Sequence, residues 1–283
     1  MYKLYIQKTA AFTAIIISFQ LKAASLNDGY FSEQKDEIIW SLDWEINPYY
    51  KYERAHLSNL KRTTKAREGN YGAKVTIRKS DDDVYGAKRA ELLAPLERGN
   101  EVERWYAFST LLNSDYVYSS YSESFFQVHT SPADGDWSRY VTTPISLQTI
   151  KGRYVITVAG SNEVPSPNLD YEKTVSDIGD YSADFGLWVD WVLHIKYSGD
   201  IDIGFLKLWK GGELVINYSG AVGYAVDSLD HKTYAKFGLY RWNWQQGDPV
   251  ESRIMYYDRI RVGNKFADFD KMNADIANNN SNL

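Results

Sequence analysis

Apolar and polar residues alternate along most of this chain in short runs, and the spacing of an amphipathic helix is scarce. Ala73 to Arg78 (AKVTIR) alternates, as do Trp105 to Leu111, Ser124 to His129, Tyr154 to Val158 and Ile254 to Val262. A period of two is that of a strand with one buried face, so each run predicts a strand. Trp188 to Tyr197 predicts the clearest one. Val189, Trp191, Leu193, Ile195 and Tyr197 point to one side, while Trp188, Asp190, Val192, His194 and Lys196 point to the other, which is largely polar. Between FLKLW and LVINY lies Lys210-Gly211-Gly212-Glu213. Two glycines between alternating runs predict a tight hairpin. Asp81–Asp83, Ser131–Asp136 and Glu163–Asp170 read as loops. No internal repeat or linker interrupts the pattern. The expected architecture is all-β: one two-sheet antiparallel sandwich over residues 25–268, then a polar, Asn-rich tail over 269–283.

Composition narrows the function. A chain of 283 residues can bury a full core as a single all-β domain. It contains no cysteine, which excludes disulfide scaffolds, cysteine-based zinc sites and thiol catalysis. A net charge of −5, with both signs mixed along the chain, excludes the basic stripe that duplex nucleic acid requires. Such a protein can still bind an anionic chain if its cations gather in one cleft. The 23 Tyr and 9 Trp serve either core packing or sugar stacking. Lys3 and Lys8, the apolar run from Thr9 to Phe19 and the small residues Ala23 and Ala24 read as a signal peptide over residues 1–24. That run is too short for a membrane span. The expected product is a secreted or periplasmic bacterial protein, monomeric, with no membrane association after cleavage.

Three strand-like segments carry candidate chemistry: Lys88-Arg89-Ala90-Glu91-Leu92, Phe126-Gln127-Val128-His129, and Tyr234 to Trp242 (YAKFGLYRW). In each, polar residues recur two apart. Arg89 and Glu91 share a face, as do Gln127 and His129, and as do Lys236, Gly238, Tyr240 and Trp242, with apolar residues opposite. If the three strands share a curved sheet, its concave face gathers Arg, Gln, His, Lys and Tyr. Gly238 there is expected to leave room for a ligand to approach the backbone. Each motif alone is as well explained by a surface ion pair or a solvated strand face. The combination is what points to a site.

The set resembles the β-jelly-roll polysaccharide lyases, which include heparin-lyase-I-like enzymes, glucuronan lyases and one class of alginate lyases. RAEL at Arg89–Leu92, QVH at Gln127–His129 and YAKFGLYR at Tyr234–Arg241 are similar to three strands of that family. WYAFSTLL, TPISLQTIKGRYVITV, FLKLWKGGELV and YYDRIRVG extend the resemblance over about residues 70–263. One departure is that Arg241 follows the tyrosine, where the alginate lyases of this type carry Asn. That shifts weight toward the glucuronan and heparin-lyase-like branch.

The resemblance implies β-elimination on a uronic-acid polymer. The C5 proton is removed, the C4 oxygen leaves, and the neighbouring carboxylate must be neutralised. Arg89 and Gln127 are the candidates for that carboxylate, Arg89 through a bidentate fork. Lys236 is a third substrate-binding candidate. His129, with an ordinary pKa of about 6.5, is the candidate base, and Tyr240, at about 10, the candidate acid. If Tyr240 must also act as base, Lys236 or Arg89 is expected to favour its phenolate. No cofactor is required. Structural calcium is a candidate, with Asp81–Asp83 as an oxygen source. Two alternatives stay open: a carbohydrate-binding module without catalysis, and a glycoside hydrolase using Glu91 and Asp190.

Overall fold

A computed structural model describes residues 36–42, 44–46, 51–95, 97–98, 102–131, 142–164, 166, 169–225, 232–244 and 247–273. The expected signal peptide and the end of the tail lie outside the described residues.

The alternating runs form two sheets. One has eight strands, in the order β14 (Glu213–Ser219), β13 (Phe205–Lys210), β12 (Trp188–Lys196), β7 (Glu103–Leu112), β17 (Ser252–Gly263), β4 (Gly72–Arg78) and β3 (Leu60–Thr63). β1 (Ile38–Leu42) pairs with the second half of β17. The other sheet has nine strands: β11 (Glu172–Asp180), β10 (Arg153–Ser161), β9 (Ile145–Ile150), β8 (Glu123–Ser131), β16 (Lys232–Arg241), β5 (Lys88–Leu93) and β2 (Lys51–Arg54). β6 (Glu97–Arg98) joins β16, and β15 (Gly223–Tyr224) joins β10 as the parallel pair. All other strand pairs are antiparallel, and the chain crosses repeatedly between the two sheets, as in a jelly roll.

The sheets stack through aromatic side chains. Phe108 of β7 packs 5.1 Å from Phe126 of β8 and 5.3 Å from Phe237 of β16. Trp191 of β12 meets Phe125 at 5.5 Å and Tyr154 at 5.1 Å. All six are buried, each contributing about 1.5–3 kcal/mol of transfer free energy. Trp191 keeps its one polar group satisfied by donating Nε1–H to Thr110 Oγ1 at 2.8 Å. The Gly211-Gly212 hairpin forms as expected between β13 and β14, with φ of 57° and 90° at its two glycines.

Two local features differ from simple alternation. In β17, Met255 and Tyr257 face the core, but so do Ile260 and Val262, because a bulge between Asp258 and Arg261 shifts the register against β7. Beyond Asp268 the chain does not fray at once. Phe269–Asn273 forms a short helix, α1, and its buried Met272 joins a small cluster with Trp105, Ala107, Val192 and Ala267 on the outer face of the eight-stranded sheet. The packed unit therefore runs past the boundary expected at 268.

Candidate active site

In the nine-stranded sheet β8, β16, β5 and β2 are consecutive neighbours, so the three singled-out segments lie side by side. Ala90 and Leu92, Phe126 and Val128, and Ala235, Phe237 and Leu239 belong to the core. Residues of opposite parity therefore share the outer face. The register sets Tyr240 opposite Arg89, Lys236 opposite Gln127, and Tyr234 opposite His129. A cleft of about 540 Å³ opens on this face. Arg89, Gln127, His129, Lys236 and Tyr240 all line it, so the structure brings the whole expected set together.

Among the described residues, four more line the cleft: Glu53, Tyr85, Thr143 and Tyr234. Tyr234 was within reach of the period-two argument, since it precedes Lys236 by two in the same strand. Glu53 gave no such signal. It comes from the four-residue edge strand β2 and pairs in register with Glu91. Tyr85 sits at the tip of the Val84–Ala87 turn with Gly86. Their φ values of 50° and 76° suit a tight turn of opposite hand, but a tyrosine rarely adopts that region. The turn holds its ring at the rim of the cleft, 82 % exposed.

Glu53 is the hub of the charges. Its Oε2 accepts hydrogen bonds from Arg89 Nη1 and from Lys236 Nζ, both at 2.8 Å. Burial opposes its ionisation, but Lys236 and Arg89 together hold its carboxyl below the ordinary range. Glu91 lies deeper, 1 % exposed, with Oε2 3.5 Å from Arg89 Nη1 and Oε1 accepting from Gln127 Nε2 at 2.5 Å. Burial raises its pKa, against the pull of Lys236 and Arg89. The main partner of Arg89 is thus Glu53 rather than Glu91, and the guanidinium is not an unengaged fork. One Nη is committed to Glu53, the other lies 3.5 Å from the Tyr85 carbonyl, and the charged plane covers the Tyr240 ring at 4.5 Å.

His129 places Nδ1 3.0 Å from the Thr130 carbonyl oxygen. A carbonyl only accepts, so Nδ1 carries the proton and Nε2 the lone pair. Burial and the nearby Lys236 push the imidazole pKa down to about 4, so the ring is neutral at neutral pH. The ring stacks on Tyr234, with centroids 5.5 Å apart. Tyr240 moves the other way. Burial raises its pKa against the opposing pull of Arg89, and Glu91 and Glu53 raise it further. Arg89 pulls toward the phenolate, as expected of a neighbouring cation, but burial outweighs it and the resting cleft holds a protonated phenol.

Three other expectations change. The place a side chain would take at Gly238 is filled by the protein itself. A Cβ there would stand 2.1 Å from the carbonyl oxygen of Ala90, so the neighbouring strand fills it, and a φ of 144° adds a second demand for glycine. Asp81–Asp83 does not suit calcium. Lys88 Nζ bonds Asp83 at 2.8 Å and also the Asp81 carbonyl, while Asn59 and the Arg78 amide bond the Asp81 carboxylate. An ammonium already stands where the cation would. Glu91 and Asp190 cannot act as a hydrolytic pair, because Asp190 belongs to the other sheet, held by Arg67 at 3.0 Å and Ser109 at 2.6 Å. Glu53 and Glu91 cannot flank a scissile bond either, since both approach the same guanidinium nitrogen.

Arg241, the unexpected neighbour of Tyr240, turns away from the cleft. It is fully buried and bonds Asp248, Ser119 at 3.2 Å and Glu123 at 3.4 Å. Arg253 closes the same cluster, 2.7 Å from Glu123.

Known proteins agree with this architecture. The structure is similar to an endo-β-1,4-glucuronan lyase from the fungus Trichoderma reesei, with a TM-score of 0.67 and 20 % identity, covering 82 % of this chain and 97 % of that one. It is also similar to the alginate lyase vAL-1 from a Chlorella virus, with a TM-score of 0.52 and 11 % identity, covering 80 % and 99 %. At such identities the likeness speaks for the fold. No curated protein sequence matches the chain. The sequence profile of the family described as polysaccharide lyase matches residues 41–261, which include every cleft residue named above. The chain therefore belongs to the polysaccharide lyase family and is an enzyme that acts on polysaccharides.

Proposed function

We propose that the enzyme cleaves a uronic-acid polymer by β-elimination. The observation that carries this reading is the pairing, in one cleft, of a neutral imidazole with its lone pair on Nε2 and a protonated phenol. One can accept a proton and the other can give one. Gln127 and the Arg89–Lys236 pair supply hydrogen bonds and positive potential for the sugar carboxylate between them.

The steps balance without water or metal. The base takes the C5 proton, and the C5–H electron pair forms the C4–C5 double bond. The C4–O bond breaks, and Tyr240 protonates the departing oxygen. His129 at a pKa of about 4 is a weak base in the empty cleft. A carboxylate bound beside it favours the imidazolium and strengthens it when substrate is present. Tyr240 starts as an acid. In a sugar epimer whose C5 proton lies on the same side as the leaving oxygen, it would have to lose its proton first in order to serve as both base and acid.

The glucuronan and alginate lyases that share the fold act on polymers of uronic acid, which supports the same substrate class here. We read the protein as secreted or periplasmic, on the strength of the apolar segment within residues 1–24. Among the described residues no helix is long and apolar enough to cross a membrane.

The test is a panel of glucuronan, alginate, hyaluronan, heparan sulfate and ulvan, followed by ultraviolet absorbance of the C4–C5 alkene and mass spectrometry. Products with an unsaturated uronate at the new non-reducing end are expected. A water-derived hydroxyl at the cleaved position would refute elimination.

A further inference from the structure

The cleft contains its own carboxylate. Glu53 reaches from the edge strand, across β5, to Lys236 in β16, and the same oxygen serves both Lys236 and Arg89. Each of these cations is therefore compensated before any substrate arrives. Among the described lining residues, Arg89 and Lys236 contribute two positive charges and Glu53 one negative charge. Glu91, buried behind them, contributes a second negative charge when ionised. These described residues thus sum to one positive charge, or to zero when Glu91 is ionised. One uronate carboxylate suffices to match the singly positive state. A sulfate on the same sugar adds a second anion, for which this set has no remaining charge.

We propose that Glu53 is a specificity-determining residue, which matches the cleft to one carboxylate per sugar, so that the substrate is an unsulfated uronan and a densely sulfated polymer is rejected. This rests on the uronan reading above. A purely structural role, neutralising a buried lysine, is the competing explanation. It predicts nothing about sulfation, and that is where the two separate. Glu53 also lines the open cleft, at 15 % side-chain exposure, where an incoming anion meets it directly.

The experiment measures binding on full-length Tyr240→Phe protein, which is expected to bind polymer without cleaving it, with and without Glu53→Gln. The probes are glucuronan and alginate, each native and after chemical sulfation, titrated calorimetrically at low ionic strength. With Glu53 present, the native polymer is expected to bind more tightly than its sulfated form. Glu53→Gln is expected to shift that preference toward the sulfated form by at least about tenfold, and added salt to narrow the shift. Tighter binding of the sulfated polymer with Glu53 present overturns the proposal, whether or not the Gln variant folds. So does a folded Gln variant in which both affinities change by one common factor. If polymer binds with the expected preference but wild-type enzyme yields no alkene from it, the elimination reading fails and the role of Glu53 in selectivity stands. Binding of neither native polymer overturns both.

Discussion

Two clusters in this protein have nearly the same composition and opposite uses. In the cleft, Arg89 and Lys236 face Glu53 and Glu91. In the other, Arg241 and Arg253 face Glu123 and Asp248, with Tyr116 donating to Glu123 at 2.6 Å. Adjacent residues of one strand, Tyr240 and Arg241, separate the two. The second cluster is sealed: both of its arginines and both of its carboxylates are buried, and it ties β8, β16 and β17 to the segments around Ser119 and Asp248. The first opens onto a cleft and adds an imidazole and a phenol with perturbed, opposed proton affinities. Buried ion pairs alone do not mark a site. Space for a ligand and groups able to exchange a proton do.

The contrast can be broken experimentally, and the largest effect should be at Tyr240. Tyr240→Phe removes one oxygen from the cleft and is expected to lower kcat by about 10⁴-fold, with the melting temperature unchanged. Full activity on any substrate would remove Tyr240 from the chemistry.

In the sealed cluster the loss should appear in stability instead. Glu123→Gln leaves Arg241 and Arg253 short of a counter-charge and is expected to cost about 3–5 kcal/mol in urea unfolding. The folded fraction should keep its kcat. A large fall in kcat with stability intact would mean that this cluster acts on the reaction.

His129→Asn should cost about 10²-fold where the C5 proton and leaving oxygen are opposed, and less where they lie on the same side. For wild type on the opposed epimer, kcat/KM should decline only as pH falls toward about 4, because the free-enzyme imidazole is neutral above that value. A midpoint at the ordinary histidine value would contradict the burial and Lys236 effect. Stability carries the same signature. Between about 4 and about 6.5 the unfolded chain binds the proton and the fold does not. This contribution is therefore complete above about 6.5 and is lost as pH falls toward about 4. His129→Asn should remove it.

The smallest effect is expected at the rim. Tyr85→Asn keeps a residue that tolerates positive φ but loses the exposed ring. If that ring stacks on a sugar, KM should rise roughly fivefold, about 1 kcal/mol, with kcat and melting temperature unaltered. An unchanged KM would leave the ring as turn decoration.

Much of the architecture was legible because alternation is a local property. Burial of one face forces period two, so the strands around Ala73–Arg78, Ser124–His129 and Trp188–Tyr197 and the Gly-Gly hairpin follow from the residues themselves. The five expected cleft residues were legible for the same reason: each shares a face with its neighbour two positions away. Bulges were not. The one between Asp258 and Arg261 depends on how β17 meets β7, and a single extra residue reverses the parity of everything after it.

What the tertiary structure alone decided is which groups share an environment. Glu53 lies 183 residues before Lys236, in a strand too short to announce itself, and only sheet order brings the two within 2.8 Å. The neighbouring strand fills the place a side chain would take at Gly238, a demand for glycine that spacing along one strand does not reveal. The direction of the Tyr240 shift depended on burial and on two carboxylates delivered by other strands, which together outweighed the arginine beside it. Sequence spacing fixes the face to which a side chain points. Its charge state and its partners are set by desolvation and by charges that arrive from distant parts of the chain.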